Sequence, residues 1–162
     1  MRRQKSFPIG EFSAGTLLAS DLLSAHADAL RAVGARRLAN KLDAFNAKHE
    51  TDDVDHGDAS EEAGWLLDDA DQELNSRAPA YVSWGSSEGD GASFGFWPSI
   101  DQLTEDVRHG AGRPDAEAFR LEDYAAAPWG AIVADVNDHG NVSVYVKTRG
   151  FPSGLRLLWD YV

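Results

Sequence analysis

The run Ala131-Ile132-Val133-Ala134-Asp135-Val136, then Asn137-Asp138-His139-Gly140-Asn141, then Val142-Ser143-Val144-Tyr145-Val146-Lys147 decides the fold class. Two β-rich segments flank a stretch whose glycine and asparagines suit a tight turn, and that pattern predicts a β-hairpin. Downstream, Leu155 to Tyr161 reads as another strand, with Leu155, Leu157 and Trp159 on one face and Leu158 and Tyr161 on the other. Upstream, Phe119 to Leu121 allows a short strand. Further back, Ala80 to Trp84 and Ala92 to Trp97 flank the turn-forming stretch Gly85-Ser86-Ser87-Glu88-Gly89-Asp90-Gly91, which predicts a second hairpin. Between the hairpins, Ser99 and Gln102 resemble a capping box ahead of Ile100, Leu103 and Val107, giving a short helix that ends by Gly110.

The first half has the other periodicity. Leu22, Leu23, His26, Ala29, Leu30 and Val33 recur at helical spacing after Ser20-Asp21, an N-cap candidate, and Gly34 closes the run. Leu38, Leu42 and Phe45 continue the period in a second helix from about Ala35 to Lys48. His49 to Ala59 is polar and aperiodic and reads as a loop, after which Asp58 or Ser60 caps a third helix ending before Pro79. Helical runs followed by strand runs predict an α+β fold: an antiparallel sheet of about five strands with the N-terminal helices packed on one face. The expectation is a single domain over 1–162, helical over about 13–78 and mainly β over 79–162.

The composition is that of a folded chain, 43% hydrophobic and 26% charged. Cysteine is absent, which excludes a disulfide framework, a thiolate nucleophile and the usual structural zinc site. Met1-Arg2-Arg3-Gln4-Lys5-Ser6-Phe7-Pro8 is a basic start, but no apolar run of signal-peptide length follows it. A cytoplasmic protein that does not span a membrane is expected. The net charge of −12 is uneven: residues 49–76 carry eleven acids and no Lys or Arg. That sign argues against direct nucleic-acid binding, which requires neutralising phosphates, and favours a basic partner surface.

The acidic block spans the loop and the third helix. Ala63, Leu66, Leu67, Ala70 and Leu74 fall in one arc and form the core-facing stripe. Glu61, Glu62, Asp68, Asp69 and Glu73 lie on the other side, in a row that can imitate the phosphates of a nucleic acid strand. Trp65 falls among them, a large apolar surface ringed by carboxylates. Like charges at i, i+4 repel, and the block offers no Lys or Arg to offset them. The plainer alternative is a solvated acidic face with Trp65 tucked under the neighbouring loop.

Other constellations carry less. Asp52-Asp53-Val54-Asp55-His56-Gly57-Asp58 suggests an oxygen-rich cation loop, but with Gly57 at the sixth position of an EF-hand the third is Val54, which cannot ligate. Gly85-Ser86-Ser87-Glu88-Gly89 has the Gly-x-Ser-x-Gly form of a hydrolase elbow, with Asp135 and His139 following, yet a strand rather than a helix comes next. Gly89 to Phe94 misses the dinucleotide pattern at its last glycine, and the five histidines lack metal-ligand spacing. No cofactor, metal or catalytic residue is expected.

Arg77 to Gly85 followed by Gly89-Asp90-Gly91-Ala92-Ser93-Phe94-Gly95-Phe96-Trp97 resembles a family of small acidic proteins encoded by phages, plasmids and bacteria, and the turn Val136 to Val142 and the Leu22 to Leu30 helix are similar to it as well. The resemblance implies a mobile-element setting, in which small acidic proteins often inhibit host defence systems, and assigns no activity. The leading expectation is therefore a binding protein that blocks a nucleic-acid-handling defence complex by its acidic surface. Glu61, Glu62, Asp68, Asp69 and Glu73 would pair with the partner, Asp52, Asp53, Asp55 and Asp58 would steer its approach, and Trp65 would anchor it. The alternatives are a small hydrolase or metal-dependent enzyme using the Gly85–Gly91 loop, and a homodimerising domain using its aromatic strands.

Overall fold

The computed structural model describes residues 6–110, 116–137 and 139–162; the basic start Met1 to Lys5 and the turn residue Asp138 lie outside them. The fold is α+β, with seven strands and five α-helices among the described residues. These gather into two compact units, one of Gly10–Ala78 with Val82–Trp97, the other of Pro79–Tyr81, Pro98–Val162 and the described residues up to Ile9. One sheet of about five strands was expected. Two form instead, of three and four strands.

The first unit begins with β1 (Gly10–Ser13), followed by α1 (Ala19–Ala32) and α2 (Arg36–Lys48). Gly34, at φ +85°, ends α1, and Ala35 donates its N–H to Leu30 O at 2.7 Å. A non-glycine residue would be strained at that φ. The expected N-cap at Ser20-Asp21 is corrected: Ser20 sits inside the first turn of α1, buried. The expected loop over His49 to Ala59 contains a short helix, α3 (Thr51–His56), because Val54 has a buried site to fill among otherwise polar neighbours. Next comes α4 (Ser60–Arg77), whose start has no side-chain cap; the Ser60 hydroxyl donates to Gly57 O at 2.8 Å instead. The hairpin β2 (Val82–Ser87) and β3 (Asp90–Pro98) turns at Glu88–Gly89, so most of the expected Gly85–Gly91 loop is strand.

The three-stranded sheet has the order β1-β3-β2, and β1 runs antiparallel to β3. A Cβ on Gly95 would lie 2.3 Å from Gly10 O, so only glycine lets β1 approach this closely. Phe12, Trp84 and Phe96 meet edge to face, with ring centroids 4.9 to 5.9 Å apart. His26 of α1 adds a ring 5.0 Å from Trp84.

The second unit holds α5 (Ile100–Gly110), β4 (Ala118–Arg120), a single 3₁₀ turn (Leu121–Asp123), β5 (Ile132–Val136), β6 (Val142–Lys147) and β7 (Leu155–Tyr161). Its strands order as β4-β5-β6-β7. The hairpin over Ala131 to Lys147 forms as expected, and β7 pairs antiparallel with β6. Trp159 of β7 is fully buried. The sheet is not wholly antiparallel, however, since β4 runs parallel to β5. Parallel neighbours require a crossover, and residues 121–131 supply it. Its end is stitched to β6 by Gly130 N–H donating to Lys147 O at 2.8 Å and Lys147 N–H donating to Ala131 O at 2.9 Å.

Candidate functional site

On α4, Ala63, Leu66, Ala70 and Leu74 are buried and Leu67 half-buried, as the stripe predicts. The opposite side exposes Glu61, Glu62, Asp68 and Asp69, and Trp65 among them is 61% exposed. The backbone accounts for the arrangement. Glu61 and Glu62 stand one turn before Trp65, and Asp68 and Asp69 one turn after it, so four carboxylates bracket the indole over about 12 Å of helix axis. Asp52, Asp53 and Asp58 are also exposed, just ahead of the helix.

Three acids of the expected set are engaged within the chain. Asp55 accepts the Ser20 N–H at 2.8 Å and the Ser20 hydroxyl at 3.0 Å, serving the start of α1. Glu73 accepts from Arg77 Nε at 2.6 Å, while Arg77 Nη1 donates to Val33 O at 3.3 Å. Asp69 lies 3.9 Å from Lys41 of α2. The expectation that no basic group stands near the acidic row is thus corrected at its C-terminal end. The free carboxylates are Asp52, Asp53, Asp58, Glu61, Glu62 and Asp68, which have no ion-pair partner among the described residues.

A part-buried polar network fixes how α4 is rotated. His26 is 1% exposed, with Nδ1 2.7 Å from Leu22 O and Nε2 3.0 Å from Asp71 Oδ1. Trp84 Nε1–H donates to the same Asp71 oxygen at 2.7 Å. The Asn75 amide brackets the Trp84 backbone, accepting its N–H at 2.9 Å and donating to its carbonyl at 3.2 Å. Asp71 and Asn75 therefore tie α4 to β2, and Trp65, about 120° around the helix from Asp71, faces outward. Sequence reading counted Asp71 only as one more acid of the block.

The hydrolase and metal alternatives gain no geometry here. Ser87 ends β2, and its hydroxyl accepts the Gly89 N–H at 3.4 Å. Among the described residues no hydrogen bond joins Ser87 or Glu88 to a histidine, and no group of three His, Asp or Glu side chains is arranged to hold a metal ion. Among them, too, no helix is long and apolar enough to cross a membrane.

In the second unit, sequence reading missed a cluster around Lys147. This side chain is only 9% exposed, and its ammonium donates to the carbonyls of Tyr124, Ala125 and Ala127 at 2.8, 3.1 and 2.7 Å. It also lies 5.1 Å from the centre of the Trp129 ring, and Arg149 lies 5.4 Å from the same ring. Trp129 is nevertheless 54% exposed. Elsewhere in this unit the Tyr81 hydroxyl donates to Asp106 at 2.8 Å, and burial together with that carboxylate raises the phenol's pKa well above its ordinary value. No family model matches this chain, and neither a curated protein nor a solved structure matches it.

Proposed function

We propose that the protein is a binding inhibitor whose acidic α4 face occupies the basic nucleic-acid channel of a host defence complex, in the manner of a phosphate strand. The observation that carries this reading is Trp65, 61% exposed at the centre of four exposed carboxylates. An exposed indole bracketed by carboxylates adds little to the core, whereas at an interface it supplies the apolar anchor and the carboxylates supply orientation and rate. The network at Asp71 supports the reading further, because it holds the helix rotation that presents Trp65. Glu61, Glu62, Asp68 and Asp69 pair with Lys and Arg of the partner, and Asp52, Asp53 and Asp58 steer the approach.

The test is capture from host lysate by the native protein and by a variant carrying Glu61→Gln, Glu62→Gln, Asp68→Asn and Asp69→Asn, at low and high salt and with competing duplex DNA. A nucleic-acid-processing complex held by the native protein alone, and displaced by both salt and DNA, is the expected result. Capture that the variant retains, or that DNA does not displace, would return the acidic face to a solubility role.

A further inference from the structure

Lys147 is a buried cation without a carboxylate. Among the described residues no Asp or Glu lies within 4.0 Å of it, and the same holds for Arg149 and Arg156. In a chain with 27 acids and 15 Lys and Arg, three cations gathered without one ion-pair partner among the described residues form a local exception. Burying a charge is costly unless it is compensated. Here the compensation is by carbonyl dipoles, which satisfy the ammonium's hydrogens and leave its net charge in place.

Two adjacent cavities, of about 500 and 420 Å³, share Trp129, Lys147, Thr148 and Arg149 among their lining residues, and no carboxylate lines either of them. The first is walled by aromatic rings, with Tyr124 and Phe151 joining Trp129, all three of them exposed. The second adds Arg156. One side therefore offers planar apolar surface, and the other offers guanidinium groups suited to a multiply charged oxyanion.

We propose that this cluster is a binding site for a free nucleoside phosphate, its base against Trp129 in the aromatic cavity and its phosphate against Arg149 and Arg156. Lys147 is a positioning residue: its hydrogens are taken up by the carbonyls of Tyr124, Ala125 and Ala127, bonds that hold the crossover bearing Tyr124 and Trp129, and its charge adds to the potential the phosphate meets. The cavities are of a size for small ligands. A long strand would bring many more phosphates to a chain of net charge −12, which disfavours it as the occupant.

The experiment is calorimetric titration of the full chain with adenosine monophosphate, adenosine, inorganic phosphate and a twelve-nucleotide single strand, repeated on Trp129→Ala and Arg149→Ala. Both substitutions are at exposed side chains, and thermal melting confirms that the variants fold. The expected result is that the monophosphate binds at least about tenfold more tightly than adenosine or phosphate alone, and that each variant loses about tenfold or more. The proposal is overturned by no binding up to about 10 mM monophosphate, by equal affinity for adenosine, by variants that bind as the native chain does, or by a strand that binds more tightly than the monophosphate.

Discussion

Trp65 and Trp129 are both exposed indoles beside concentrated charge, and they are built in opposite ways. Trp65 stands on a regular helix among carboxylates, most of which meet only solvent. Trp129 stands on an irregular crossover held from beneath by a buried ammonium whose hydrogens are all engaged by carbonyls. The first arrangement lays charge on a surface that folds for other reasons; in the second the charge is part of what makes the segment fold. The two regions should therefore answer very differently to loss of a charge.

The largest effect is expected at Lys147. Replacing it with Met leaves three carbonyls of the crossover without their donor, which should cost about 3 kcal/mol of stability in urea unfolding. Arginine should not rescue it, because a planar fork cannot aim at the three carbonyls that a compact ammonium reaches. A loss below about 1 kcal/mol would mean that solvent takes over the carbonyls, and the contrast with α4 would collapse.

Asp71 sharpens the comparison inside the acidic block itself. It shares α4 with Asp68, but its Oδ1 meets both His26 Nε2 and the Trp84 indole N–H. Asp71→Ala should destabilise the protein by about 2 kcal/mol, since it strands two buried polar groups. Capture of a partner through Trp65 should weaken with it, because the helix loses its rotational lock.

Why one region was legible in the sequence and the other was not follows from the same contrast. The stripe of Ala63, Leu66, Ala70 and Leu74 repeats at helical spacing, so the outward side of α4 and the place of Trp65 on it could be read from local order alone. The hairpin over Ala131 to Lys147 was legible for a similar reason: its turn chemistry lies within the segment. By contrast, Lys147 meets carbonyls about twenty positions upstream, and Arg156 reaches the same cavity from β7. No periodicity links such positions. The parallel pairing of β4 with β5 was hidden likewise, because strand direction depends on the path of the crossover rather than on strand composition. The third strand of the first sheet was hidden as well, because β1 is a four-residue segment whose close approach to β3 depends on Gly95.

Alkaline titration separates the regions by another route, because Tyr81 belongs to the unit that carries Trp129. Burial, then its hydrogen bond to Asp106 and the charges of Asp106 and Glu117, raises the pKa of its phenol. The folded state thus holds this proton more tightly than the unfolded chain does. Its contribution is complete below about pH 10, where an unfolded tyrosine begins to ionise, and is lost as pH rises further. Tyr81→Phe should lower neutral stability by about 1 kcal/mol and flatten the alkaline decline. A decline that persists unchanged would assign it to other groups.

The smallest expected effect bears most directly on function. Asp68 lies at i, i+7 from Glu61 and has no ion-pair partner among the described residues, so nothing in the fold requires its charge. Asp68→Asn should leave stability unchanged or raise it by a few tenths of a kcal/mol, with the gain shrinking as salt is added, because it relieves repulsion on the α4 face. Glu61→Gln and Glu62→Gln should act the other way, each costing up to about a few tenths of a kcal/mol, because both carboxylates stand in the first turn of α4, where the helix dipole favours negative charge. A carboxylate whose removal does not destabilise the protein is one that folding alone would not retain. If Asp68→Asn is instead clearly less stable, that acid serves the fold, and the case for the outward side of α4 as a binding surface loses support.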